Sequence, residues 1–254
     1  MSISGFLKGI LNLQKKVDLK LLPSQGLFYK DDFQLYIKKV DLTDIIEYEY
    51  KYVKEDLGLI ISKVKKVVEK SIIIKNDYTF DDIKSVDIIF LFLEIVRFSK
   101  GKPIEIDYTD SGIDKKIEFN PIFFNYYKID ESTMNHYDEV NKEFFIDDYK
   151  YSLPTIGVEN SLTNFLIHKS KSIDSASYNN YSYDFTFFVN GKNVLSFSEI
   201  ENLIQIFNFD LEKDEKLKIK KIVNKFQPLQ KYSLIKNGKV IDINSKIDLE
   251  NIWK

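Results

Sequence analysis

The sequence predicts an α+β fold made of helices and several β-hairpins. Three observations point there. Apolar residues recur at helical spacing in the stretches ending near residues 70 and 100. Two Asn-Gly pairs, Asn190 with Gly191 and Asn237 with Gly238, sit between apolar stretches of strand character, the strongest short hairpin signal. "PIEIDYTDSGIDKKIEF" places an Asp-Ser-Gly turn between two strand-like runs. At 254 residues, the chain can bury roughly 70–75% of its unfolded surface, enough for one large core or two small ones.

Residues 6–16 read as a short helix with Phe6, Ile10, Leu11 and Leu13 on one side, within an amphipathic segment 1–20. A turn and hairpin are expected over 22–41. In "LPSQGLFY" Pro23 fixes φ and Gly26 can take positive φ, and "FQLYIKKV" alternates as a half-buried strand does. Leu22, Leu27 and Phe28 are expected to bury beside a helix starting near residue 43, capped by Thr43 or Asp44. Ser24 is expected to satisfy a turn N–H. Helical pattern then runs to about residue 70, with Gly58 as a break point.

"DYTFDDIKSVDIIFLFLEIVRFSKGKP" is the clearest helix. Thr79 and Asp82 have capping-box spacing, Gly101 and Pro103 end the helix, and its centre is apolar all round, as in a buried helix. The Asp-Ser-Gly hairpin follows. Residues 121–142 lack a clean period and read as a linker or excursion. "EFFIDDYKYSLP" is a hairpin about Asp147 and Asp148, and "SLTNFLIHKSKS" a short helix. The Asn190 hairpin, helical patterns at 198–208 and 211–226, the Asn237 hairpin and "DLENIWK" complete the chain. The division is therefore a segment 1–20, an α+β half 21–120, the stretch 121–142 and an α+β half 143–254. "LFYKDDFQLYI" echoes "EFFIDDYKYSL", and "GKPIEIDYTDSGIDKKIEF" echoes "QKYSLIKNGKVIDINSKIDL". A true duplication and chance within a narrow residue alphabet both remain open.

That alphabet is lopsided. Ala176 is the only alanine and Arg97 the only arginine, while Lys, Ile, Asn, Asp, Phe and Tyr dominate, residues that share A/T-rich codons. There is no cysteine, which excludes disulfides and thiolate metal sites. No apolar run reaches the roughly 18 residues of a membrane span. The start lacks a basic region and a small-residue cleavage site, so no signal peptide is expected. The sequence carries no Gly-rich phosphate loop and no nucleophile elbow. His136 and His168 read as surface or capping residues. The acidic pairs Asp31 with Asp32, Asp81 with Asp82 and Asp147 with Asp148 read as turns and helix starts. Hence no catalytic residue, cofactor site or metal ligand is assigned.

Two features invite partners. "LEKDEKLKIKKIVNKF" gathers Lys213, Lys216, Lys218, Lys220, Lys221 and Lys225, a nucleic-acid surface in one reading and a solvated helix face in the other. The net charge of −2 and the interspersed acids favour the second. Aromatics make up 15% of the chain, which suits protein interfaces and codon bias equally.

"LPSQGLFY", followed by a strand and a helix, resembles the N-terminal signature of the baseplate hub and hub-assembly proteins of T-even-like tailed phages. Leu22, Pro23, Ser24, Gly26, Phe28 and Tyr29 fill its places. "TFDDIKSVDIIFLFLEIVRFSKGKPIEI" is similar to the family's Asp-initiated helix with a near-central Arg and a Ser-x-Gly turn into a strand. Asp87, Arg97, Ser99 and Gly101 occupy the matching positions, and "IDLENIW" looks like the family's end. Many relatives carry Cys-x-x-Cys pairs in their hairpins; this chain has none, so no metal is carried over. The resemblance implies a non-enzymatic tail structural protein, a baseplate or hub-region subunit or an assembly factor. It would contact other tail and baseplate proteins, as an oligomer in a symmetric assembly, without membrane. It would reside in the virion, or in the host cytoplasm during assembly. The alternative is a nucleic-acid-binding accessory protein using residues 211–226.

Overall fold

The computed structural model describes residues 13–41, 57–110, 112–124, 127–146, 149–170, 194–226, 229 and 232–242, and the fold is α+β. Strand β1 (Gln14–Lys16) pairs antiparallel with β2 (Leu35–Lys38), which pairs antiparallel with β3 (Ile72–Ile74). Two expectations are corrected here. Residues 14–16 are strand, where the sequence suggested the end of a helix. β2 also finds its partners on β1 and β3, with no hairpin inside 22–41. Its open edge decides the matter: Lys39 N–H donates to Leu13 O (2.9 Å) and Val17 N–H to Leu35 O (2.9 Å), extending the β1 ladder. Residues 1–12, and with them the start of the amphipathic segment, lie outside the described residues, as do Thr43, Asp44 and the helix expected from them.

Helix α1 (Leu57–Ser71) runs straight into β3. Val64, Val67 and Val68 share one face and are buried, the i, i+3, i+4 spacing of an amphipathic helix. The stretch read as one long helix from Thr79 is broken. Thr79 N–H and hydroxyl both donate to the Asp82 carboxylate (2.6 and 3.1 Å), so the capping box exists. It opens only a 3₁₀ turn, Phe80–Asp82. Ile83 and Lys84 are then extended, because they pair with a distant segment: Ile156 N–H donates to Ile83 O (2.8 Å), Ser85 N–H to Pro154 O (3.0 Å), and Lys84 bridges Thr155. After the 3₁₀ turn Ser85–Asp87, helix α2 (Ile88–Lys100) begins. Ile88 and every residue from 90 to 96 are buried. Gly101 ends the helix at φ 63°, its N–H on Arg97 O, the left-handed cap that glycine adopts without strain.

Strands β4 (Glu105–Asp110) and β5 (Ile113–Glu118) form the Asp-Ser-Gly hairpin. The stretch read as a linker holds a 3₁₀ turn (Pro121–Phe123), helix α3 (Glu131–Met134) and β6 (Tyr137–Asp138), with Phe124 and Ile129 buried. β6, β7 (Glu143–Ile146) and β8 (Tyr149–Tyr151) make a three-stranded antiparallel sheet in which β7 pairs with β8, while Asp147 and Asp148 lie outside the described residues. Helix α4 (Ile156–Ser170) starts five residues earlier than the run quoted for it. The Asn190 turn lies outside the described residues. Helix α5 (Phe197–Gln205) passes into a π-turn (Ile206–Asp210), followed by α6 (Lys213–Phe226). β9 (Ser233–Lys236) and β10 (Lys239–Asp242) close on Asn237 (φ 52°) and Gly238 (φ 73°), as a type I′ turn requires. Residues 243–254, including "DLENIW", lie outside the described residues. No described helix is long and apolar enough to cross a membrane.

The largest apolar cluster joins the β1–β2–β3 sheet, α1, α2 and the β4–β5 hairpin, and includes Leu234 of the last hairpin. A second joins Phe144, Ile146 and Tyr151 to Ile219, Val223 and Phe226, and includes Phe28. Each half of the chain therefore sends an apolar residue into the other's cluster. A third unites α4 and α5.

Candidate functional site

Residues 19–29 form a compact loop of successive turns. Leu27 N–H donates to Ser24 O (3.2 Å) across Gln25 (φ 56°) and Gly26 (φ 73°), and Tyr29 N–H donates to Gly26 O (3.3 Å). A Cβ on Gly26 would stand 3.2 Å from Leu19 O. Both the positive φ and this close approach favour glycine. The loop presents polar groups inward. Ser24 N–H donates to Asp87 Oδ1 (2.8 Å), and Tyr29 hydroxyl donates to Asp87 Oδ2 (2.7 Å). The same hydroxyl accepts the backbone N–H of Lys84 (2.9 Å). One tyrosine oxygen thus ties the loop, the extended 83–84 segment and the head of α2.

Asp87 is fully buried. Burial pushes its carboxyl up to about 6, against hydrogen bonds from Ser24 and Tyr29 and the charge of Lys84, which hold it down. Burial first, then the Asp87 charge, raise the Tyr29 hydroxyl well above its ordinary value. Lys84 is 6% exposed, and burial brings its ammonium down to about 8 despite Asp87 and Asp82. Its Nζ reaches Ser152 Oγ at 3.4 Å. Beside this node lies a cavity of about 350 Å³ walled by Tyr29, Phe33, Tyr78, Lys84, Lys142 and Ser152, among others.

The motif residues divide by role. Leu22 is 1% exposed in the first cluster, and Pro23 is buried beside it in sequence. Phe28 lies in the second cluster, its ring 5.6 Å from Phe144 and 6.2 Å from Phe226. It packs on the C-terminal half, whereas the sequence suggested a neighbour near residue 43. Leu27 is only partly buried against that cluster. The Ser24 hydroxyl does not take up a turn N–H as the sequence suggested: the turn bond is accepted by its backbone carbonyl, and its own N–H goes to Asp87.

Arg97 and Gly101 stand at the far end of α2. Arg97 Nε and an Nη hold Glu94 (2.8 and 3.1 Å), and Lys15 Nζ meets the same carboxylate at 3.2 Å. They border a cleft of about 750 Å³ with Lys39 and Lys102. So Ser24, Tyr29 and Asp87 are brought together, while Arg97 and Gly101 serve a separate node. Lys84 was missed in the sequence: a lysine in "DDIKSVD" looks like solvated helix surface, and only the pairing of residues 83–84 with 154–156 turns it inward.

Among the other candidates, the His168 ring packs on Phe197 (5.3 Å) and His136 is exposed. Asp31 pairs with Lys142 (2.7 Å) and Asp32 Oδ1 accepts the Tyr78 hydroxyl (2.6 Å). On α6, Ile219, Ile222, Val223 and Phe226 are buried while Lys213, Lys218, Lys220 and Lys221 face solvent. Among the described residues, no group of three or more His, Asp or Glu could hold a metal ion. No family model, no curated protein and no solved structure matches the chain.

Proposed function

We propose that the chain is a non-enzymatic structural protein of a phage tail, a baseplate or hub-region subunit or an assembly factor, acting through protein–protein contact. One observation carries the reading. The two stretches that resemble the hub family are far apart in sequence, yet Ser24 and Tyr29 of the first close on Asp87 at the head of the second. The signature residues make sense together as an architectural lock, with Asp87 shut off from any substrate. Exposed side chains suited to contact include the neighbours Ile122 and Phe123 and the hairpin-tip residue Ile113. The two-stranded β4–β5 hairpin also offers a strand edge for pairing with a partner sheet. The test is affinity capture of the tagged full chain from infected cells, with mass spectrometry of purified particles. Tail or baseplate proteins should co-purify. Presence in particles identifies a resident subunit, and capture without it an assembly factor. Capture of neither, with salt-dependent DNA binding through the α6 lysines, would replace this reading with the nucleic-acid one.

A further inference from the structure

Lys84 places an ammonium where a protein rarely leaves one. Burying an unpaired charge is strongly unfavourable, and buried cations are normally paired with carboxylates. Among the described residues, Lys84 Nζ has a single hydrogen-bond partner, the neutral Ser152 Oγ at 3.4 Å, and no ion pair. Asp87 is near enough to act on it electrostatically, but its two oxygens take the Ser24 N–H and the Tyr29 hydroxyl. Asp82 takes the Thr79 N–H and hydroxyl. At pH 7 an ammonium titrating near 8 is still charged about ten to one. It has three donors to place and one acceptor to receive them.

The side chain lines the 350 Å³ cavity, a size in the range of small-molecule sites. Four lysines and two carboxylates line it, an excess of positive charge. The rim lysines have other work: Lys142 pairs with Asp31 (2.7 Å), Lys150 with Glu143 (2.8 Å), and Lys30 donates to Asn141 O (2.9 Å). Lys84 is the cation left over, and at 6% exposed it is buried. The walls are aromatic. Tyr29 stacks on Phe33 at 4.5 Å, and Phe33 meets Tyr78 edge-on at 5.1 Å. A flat apolar body fits such walls, and an oxyanion fits the ammonium beside them.

We propose that this cavity is a binding site for a small oxyanion, a carboxylate or phosphate carried on an apolar body, anchored by Lys84 and Ser152. The site spans both halves of the chain: Tyr29, Phe33 and Lys84 come from the first, Lys142, Lys150 and Ser152 from beyond residue 140. Occupancy would fasten the hub-like loop to the β6–β7–β8 sheet. The inference does not depend on the proposed tail role.

The experiment is an NMR titration of the lysine side-chain signals of the full chain, at constant ionic strength, with sodium benzoate and separately with inorganic phosphate. Chloride serves as the control. An oxyanion on Lys84 stabilises its charged form, so its titration midpoint should move up by about one unit, the sign of roughly tenfold preference for the ammonium. Saturation by benzoate alone identifies an apolar carboxylate, and saturation by phosphate a phosphorylated ligand. Lys84→Met should weaken binding at least about tenfold, and Lys150→Met, on the rim, by less than about threefold. No movement of the Lys84 signal with either probe, or equal binding by folded Lys84→Met, overturns the proposal. If Lys84→Met does not fold, the wild-type titration decides alone.

Discussion

Asp87 at the head of helix α2 and Glu94 within it stand seven residues apart, both shut off from water, and they are held in opposite ways. Asp87 is held by neutral donors, a backbone N–H and a tyrosine hydroxyl, with the Lys84 ammonium outside ion-pair range. Glu94 is held by two cations, Arg97 and Lys15, whose side chains remain 33% and 40% exposed. The first arrangement joins three chain segments and leaves the carboxylate itself no recourse to water when a partner is lost. The second lies at the edge of a cleft, where water can take over a lost contact. Burial of a carboxylate is therefore not one condition. What matters is whether its partners can be rehydrated.

The largest expected effect tests how the loop of the first node is anchored. Phe28→Ala removes the ring that packs on Phe144 and Phe226. It should cost about 3–5 kcal/mol, read as a drop in the urea midpoint. A midpoint within error of wild type would mean the loop is held by Asp87 alone.

Asp87→Asn comes next. The amide puts an NH2 donor where one of the two accepting oxygens stood, so the Ser24 N–H and the Tyr29 hydroxyl cannot both keep their present acceptors, and the loss should be about 1–3 kcal/mol. Glu94→Gln should cost less, about 1 kcal/mol or below, because both its cations reach solvent. Equal losses would erase the distinction between the nodes. The same pair separates by pH. The folded Asp87 carboxyl titrates at about 6, above its ordinary 3.8, so the folded state holds that proton more tightly. Its contribution is full below about pH 4 and is lost as pH rises through 6. The difference in unfolding free energy between wild type and Asp87→Asn should accordingly shrink from pH 4 to pH 7. Constancy across that interval would show that Asp87 titrates normally.

Gly26→Val should cost about 1–3 kcal/mol, because valine would hold φ near 73° with Cβ close to Leu19 O. Differential scanning calorimetry reads this as a lower Tm, and an unchanged Tm would mean the loop rearranges freely. The smallest effect is expected of Lys15→Ala, about 0–1 kcal/mol, since Arg97 still grips Glu94 from two nitrogens. A loss beyond 2 kcal/mol would place Glu94 in the same class as Asp87.

What the sequence determined by itself is local. Asn237 with Gly238 and the Asp-Ser-Gly turn specify hairpins because the required backbone conformation belongs to those residues. Gly26 and the Gly101 cap were legible for the same reason, and the apolar face of α1 from its spacing. The Thr79 capping box was legible too, but what it opened was not, since Ile83 and Lys84 leave the helix to pair with residues 154–156, some seventy positions away. β1 was misread because a three-residue strand has no period of its own and exists only on the open edge of β2. The candidate site was half visible. Ser24, Tyr29 and Asp87 lay in the two quoted stretches, but nothing in either says that one carboxylate receives both donors. Lys84 gave no signal, since burial of a lysine is decided by what covers it. Only the tertiary structure brings Ser152, Lys142 and the loop around that ammonium, because contacts between distant segments are chosen by the packing of the whole chain and leave no pattern within any one segment.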